Sequence, residues 1–121
     1  MNLLLIAIGG AVGSVARYSV SRVAVHLVDV SYPVGTFAVN VLGCFAFGLI
    51  AGVGDHRLAL STQARAFLLV GLLGGFTTFS TYAFESVVLL RDGRAGLALL
   101  NVAGQTLVGL AAIWAGLFLT R

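Results

Sequence analysis

Four long apolar stretches alternate with short polar connections along this chain of 121 residues. They run from Leu3 to about Val25, from Val34 to Val53, from Ala64 to Leu90, and from Ala95 to about Leu119. Each is about as long as the ~20 residues an α-helix needs to cross a bilayer core. The pattern predicts an all-α membrane protein: one domain, residues 1–121, with four transmembrane helices. The connections are His26 to Pro33, which holds the only proline, Gly54-Asp55-His56-Arg57 through Gln63, and a tight turn at Arg91-Asp92-Gly93-Arg94.

The third stretch carries its own interruption, Gly74-Gly75-Phe76-Thr77-Thr78-Phe79-Ser80-Thr81-Tyr82, at the depth where a bilayer would be driest. Glycine loses the most backbone freedom in a helix, and Thr and Ser offer the backbone competing hydrogen bonds. The third helix is therefore expected to break near the midplane. Peptide groups freed there cannot face lipid, so they must line a protein-enclosed cavity or hold an ion. An ion pathway is the reading that follows.

Composition supports the membrane assignment, with 60% hydrophobic and 9% charged residues against roughly 45–50% and 25% in soluble domains. No separate soluble domain is expected. The first stretch lacks a basic n-region and a cleavage site followed by a soluble chain, so it is expected to be a retained span. All seven basic residues are arginines, and the net charge is +3. They are scattered singly, unlike the clustered patch that nucleic-acid binding requires. Four spans place Arg57, Arg65 and Arg121 on the N-terminal side, with Arg17, Arg22, Arg91 and Arg94 on the other. This is almost no imbalance for the positive-inside rule to act on. Insertion in both orientations, with antiparallel pairing of two copies, is one reading; an embedded Arg17 that leaves a weak ordinary bias is the other.

Small residues four apart recur at Gly9-Gly13, Gly35-Val39-Gly43, Gly48-Gly52 and Gly71-Gly75, as expected where helices approach closely in lipid. Cys44 is the only cysteine and reads as a small buried hydrophobe. Dinucleotide, Walker and HExxH zinc patterns are absent, and His26 and His56 fall in connections without a positioned nucleophile. No enzyme activity is expected.

Several polar side chains interrupt the apolar helices. Asn40 has Thr36 one turn before it on the same face. Its amide can donate to an anion or bond a neighbouring helix. Phe79 and Tyr82, three apart, can hold an anion at their electropositive ring edges or simply pack. Several weak donors would let a small anion enter and leave, where a fixed cation would bind it too tightly. Thr77, Thr78, Ser80 and Thr81 add hydroxyls around the break, and Asn101 and Gln105, one turn apart on the fourth helix, continue a polar track beside Thr106. Arg17 and Glu85 are the ionisable residues deepest in the spans, suited either to vestibule electrostatics or to structural pairing, for example with each other.

Three motifs in this order, Gly9-Gly10 with Gly13 and Arg17-Tyr18, Gly35 through Gly43, and Gly74 through Thr81, resemble the CrcB/Fluc fluoride channels over essentially the whole chain. The resemblance implies a fluoride-selective channel that lowers cytoplasmic fluoride by passive efflux across the cell inner membrane. It further implies a dual-topology antiparallel homodimer with two pores and a central sodium ion held by backbone carbonyls of Gly74 and Thr77. Thr36, Asn40, Phe79, Ser80, Tyr82, Asn101 and Gln105 would then belong to the fluoride path, with Arg17 and Glu85 as vestibule or structural charges. Tyr82 stands where the family commonly has Phe, and Asn101 and Gln105 where it usually has Tyr and Ser. Two other functions share the size and span count. A proton-coupled multidrug exporter wants a carboxylate in the first helix, which has none, and a non-transporting assembly protein would use these polar groups only to join helices.

Overall fold

The computed structural model describes residues 1–28, 31–56 and 59–121. Arg57, counted above in the charge balance, lies outside them. The described residues form α1 (Asn2–Leu27), α2 (Val34–His56), α3 (Thr62–Arg65), a π-helical stretch (Ala66–Leu73), α4 (Gly74–Phe76), α5 (Phe79–Arg91) and α6 (Ala95–Leu119), with no strand among them. Four helical spans are long and apolar enough to cross a membrane: Asn2–Leu27, Val34–Asp55, Thr62–Arg91 and Ala95–Leu119.

Helices α1 and α2 outrun their apolar stretches. His26 falls in the last turn of α1, and Gly54-Asp55-His56, expected in a connection, closes α2. Polar residues beyond the apolar stretch can face water and still complete the helical ladder, so hydropathy marks the end of the stretch rather than of the helix. Asp55 and Arg65, 3.9 Å apart and well exposed, tie α2 to the next span weakly. At the opposite end of the bundle Arg94 Nη1 donates to the Ser31 carbonyl at 3.2 Å, joining the first and third connections.

The third span has three parts. Ser61 caps its start by accepting the Ala64 N–H at 3.1 Å. Ala66–Leu73 then winds as a π-helix, which neither the sequence's period nor its residue types foreshadow. Next, the Thr77 hydroxyl and N–H both turn back to the Leu73 carbonyl, each at 2.9 Å. Thr77 and Thr78 are extended, and α5 begins again at Phe79 with Thr78 as its cap, the Thr78 hydroxyl accepting the Thr81 N–H at 3.3 Å.

Glycine permits the helix contacts. A Cβ added to Gly9 would sit 2.6 Å from the Phe67 carbonyl oxygen, and one added to Gly75 would sit 2.6 Å from that of Gly10. Backbone therefore meets backbone where α1 crosses the π-helical stretch and α4. On the other side Gly116 lies against Phe45 and Leu49, bringing α6 onto α2. Few large side chains are buried, with Val39 and Asn101 the two most enclosed. Leu3, Val15, Phe84, Leu107 and Trp114 instead face outward, an apolar surface suited to lipid.

Candidate functional site

The extended pair Thr77-Thr78 creates the site. An unbroken helix would send the Thr78 N–H to the Gly74 carbonyl and the Thr81 N–H to the Thr77 carbonyl. Here the Thr78 N–H goes to Asn40 Oδ1 at 2.9 Å, and the Thr81 N–H goes to the Thr78 hydroxyl. The carbonyls of Gly74 and Thr77 lose their helical donors together.

Asn40 is one turn along α2 from Thr36, and Gly43 lies against the Thr77 methyl, so α2 can approach the break closely. Asn40 Nδ2 donates to the Thr78 carbonyl at 3.1 Å and to Gln105 Oε1 at 2.8 Å. Gln105 Nε2 donates to Asn101 Oδ1 at 2.8 Å, Asn101 Nδ2 to Ser86 Oγ at 2.9 Å, and the Ser86 hydroxyl to the Tyr82 carbonyl at 2.8 Å. One continuous chain of hydrogen bonds thus joins α2, the break, α6 and α5. In this arrangement both Asn40 amide protons are committed to protein acceptors, so the amide expected to be free for an anion is engaged.

Two cavities flank the break. The first, about 390 Å³, is lined by Asn40, Thr78, Phe79, Tyr82, Gln105 and mainly apolar neighbours such as Cys44. The Phe79 and Tyr82 rings meet there, tilted, at 5.5 Å between centroids and 50° between planes. The second, about 380 Å³, is polar, lined by Ser14, Arg17, Ser21, Thr36, Thr78 and Thr81 among others. Thr78 lines both. Thr81 Oγ1 accepts the Thr78 hydroxyl at 3.0 Å, so its own proton is left for the second cavity.

Arg17 and Glu85 do not pair. Among the described residues the Glu85 carboxylate takes its hydrogen bond from the Thr36 hydroxyl at 2.8 Å, and Arg17 faces the hydroxyl-lined cavity. Position along the spans suggested a pair; the helix faces decide otherwise. Ser80 is exposed and lines neither cavity, because it is about 100° around the helix from Phe79. Asn101, fully buried, also lines neither and acts through Gln105. Residues not singled out from the sequence are Ser86, Ser14, Ser21 and Tyr32. Ser86 lies four residues from Tyr82 on one helix face, a spacing that could have marked it. The Tyr32 hydroxyl is buried with no hydrogen-bond partner among the described residues. Burial first, and the Glu85 carboxylate second, push its pKa above the usual tyrosine range.

Residues 4–117 match the family model described as CrcB-like protein, Camphor Resistance (CrcB). The chain belongs to the CrcB family. Relatives named Fluoride-specific ion channel FluC include that of Maridesulfovibrio salexigens, 48% identical over 98% of this chain and 94% of the relative. That of Solidesulfovibrio magneticus is 49% identical over 96% and 93%, and that of Nitratidesulfovibrio vulgaris (strain Miyazaki F) 45% identical over 96% and 94%. Family membership and four apolar spans together make this CrcB chain a multi-pass membrane protein.

Proposed function

We propose that this chain is a fluoride-selective channel mediating passive fluoride efflux, and so protecting the cell from fluoride. The observation that carries the reading is Thr78, an extended residue inside a membrane span that lines a polar cavity on one side and an aromatic one on the other. The relatives carry the ion's identity in their names.

Fluoride is small and strongly hydrated, so a path for it must replace water with many short donor contacts. Arg17 and the hydroxyls of Ser14, Ser21 and Thr81 suit an entry vestibule, in which one cation raises the local anion concentration. Beyond Thr78, the ring edges of Phe79 and Tyr82 offer weak donors from which the ion can leave; the Thr106 hydroxyl lines the same cavity, but its proton is held by the Val102 carbonyl at 2.7 Å. Thr36, which lines the vestibule, donates its hydroxyl to one oxygen of Glu85, a residue that lines neither cavity.

The working unit in this reading is an antiparallel, dual-topology homodimer in the inner membrane. The balanced arginines, the break near the middle of the Thr62–Arg91 span, and the outward-facing Phe79 ring, 78% exposed in one chain, support it. A second copy would cover that ring. Sodium fits the same reading: the Gly74 and Thr77 carbonyls have lost their helical amides, and hard oxygen donors of this kind suit a monovalent cation. Two copies would supply four such carbonyls, and the ion would offset their partial negative charge.

Purified protein in liposomes loaded with fluoride tests the function: efflux read by a fluoride electrode, without a proton gradient, is the expected result, and silence would end the reading. A C-terminal cysteine tag labelled from each side of the membrane tests the topology. Labelling from both sides is expected; one-sided labelling would overturn dual insertion.

A further inference from the structure

The orientation of the amide chain is forced from its ends. The Thr78 peptide N–H can only donate, so Asn40 must turn Oδ1 toward it, which aims Nδ2 at Gln105. At the far end the Ser86 hydroxyl donates to the Tyr82 carbonyl, so it accepts from Asn101, and Asn101 Oδ1 therefore accepts from Gln105. Both ends require Gln105 to show its oxygen, not its nitrogen, to Asn40.

Asn40 has two amide protons, and both are used, one on the Thr78 carbonyl and one on Gln105 Oε1. An ion in the aromatic cavity can take an Asn40 proton only if one acceptor withdraws. The Thr78 carbonyl is main chain, held in a break that Asn40 itself grips from two sides. Gln105 Oε1 ends a rotatable side chain that lines the cavity.

We propose that Gln105 is an intramolecular stand-in for the transported anion: its amide oxygen holds the Asn40 proton while the site is empty, yields it as the ion arrives, and reclaims it as the ion leaves. This deepens the channel reading and rests on it. An anion accepts a hydrogen bond roughly twice as strongly as a neutral amide oxygen, so the exchange runs forward on entry. Return of Gln105 keeps Asn40 from being left with an unsatisfied buried donor when the ion departs, which favours release. Gln105 is thus a positioning residue, and Asn101, fully enclosed, keeps its amide the right way round.

The test is initial fluoride efflux from liposomes as a function of loaded fluoride, for native protein and Gln105→Met. Methionine keeps the length of the side chain and removes its amide acceptor. The half-saturating concentration is expected to fall about fivefold, as for the loss of one ordinary competing hydrogen bond, with a lower maximal rate because release is slowed. An unchanged or raised half-saturating concentration, with native protein conducting, overturns the stand-in alone. If native protein does not pass fluoride, the channel reading fails with it.

A measurement on the unmodified chain decides the matter even if Gln105→Met does not fold. In side-chain amide NMR spectra in bilayers, sodium fluoride is expected to move the Asn40 and Gln105 signals together, while sodium chloride moves neither. Movement of Asn40 without Gln105, or of neither with fluoride, would overturn the proposal.

Discussion

Asn40 and Thr78 exchange two hydrogen bonds, the Thr78 N–H to Asn40 Oδ1 at 2.9 Å and Asn40 Nδ2 to the Thr78 carbonyl at 3.1 Å. A side-chain amide from α2 thereby does for Thr78 what a neighbouring strand does for a residue in a sheet. It satisfies both peptide groups of a residue that has left its helix. In a membrane span, where water is scarce, such a partner stabilises the break by giving the Thr78 N–H, which has no helical acceptor, a place to donate.

Asn40→Asp keeps the shape of this partner and removes its donors. A carboxylate oxygen would then face the Thr78 carbonyl and Gln105 Oε1, acceptor against acceptor. The thermal midpoint in detergent is expected to drop, by about 2 kcal/mol in stability for the stranded buried acceptors. Fluoride efflux should fall more than about tenfold, a cost of at least ~1.4 kcal/mol to passage. Normal efflux would make Asn40 purely structural.

Phe79→Ile removes a ring that lines the aromatic cavity without filling the protein core, since the side chain is largely exposed in one chain. Efflux is expected to fall at least about tenfold while size-exclusion chromatography still shows an assembled protein. Tyr82→Phe is the matched control. The Tyr82 hydroxyl makes only a long 3.4 Å contact to the Val102 carbonyl, so its removal should leave efflux within about twofold. A large loss in Tyr82→Phe would assign the hydroxyl, not the ring, to the path.

Gly75→Val tests the helix crossing that holds the break in place. The first added carbon would lie 2.6 Å from the Gly10 carbonyl oxygen, against backbone that cannot rotate away. Overpacking of this kind costs about 1–3 kcal/mol, read as a lower thermal midpoint. Gly96→Ala is the control, because nothing lies within 4 Å of a Cβ there, and in the first turn of α6 it should be close to neutral.

Tyr32 is expected to make stability fall at alkaline pH. Its pKa is raised by burial and then by Glu85, so folding favours the neutral phenol. That contribution is fully present below the ordinary tyrosine pKa of 10.0 and is lost as pH climbs through the higher folded value. Thermal midpoints followed from pH 8 to 11 should therefore decline less steeply in Tyr32→Phe than in native protein. At pH 7 the variant should be as stable or more so, because it loses a buried hydroxyl that has no partner among the described residues. An identical alkaline decline in the two proteins would remove Tyr32 from this role.

Much of the fold was legible because it depends on local properties of the chain. Span number follows from the length of apolar runs, and an interruption near Thr77-Thr78 follows from glycine and threonine together in one short segment. The recurrent glycines marked the close crossings for the same reason: only a missing side chain lets two backbones meet. The polar track was visible as a set of residues on one helix face, Asn101 with Gln105 and Thr36 with Asn40.

The tertiary structure alone decided who bonds to whom. Spacing along a helix says which side chains share a face but not which neighbour that face meets. Glu85 therefore found Thr36 rather than Arg17, Ser80 turned away from both cavities, and Asn101 became an interior link instead of a lining residue. The π-helical turn at Ala66–Leu73 belongs with these; no residue in it marks it in advance. The sequence by itself determined that a polar break would lie inside an apolar span, since hydrocarbon length and backbone propensity are properties of single segments. That both protons of Asn40 are already taken is a property of three segments meeting at once, α2, the break and α6, and only the folded chain could show it.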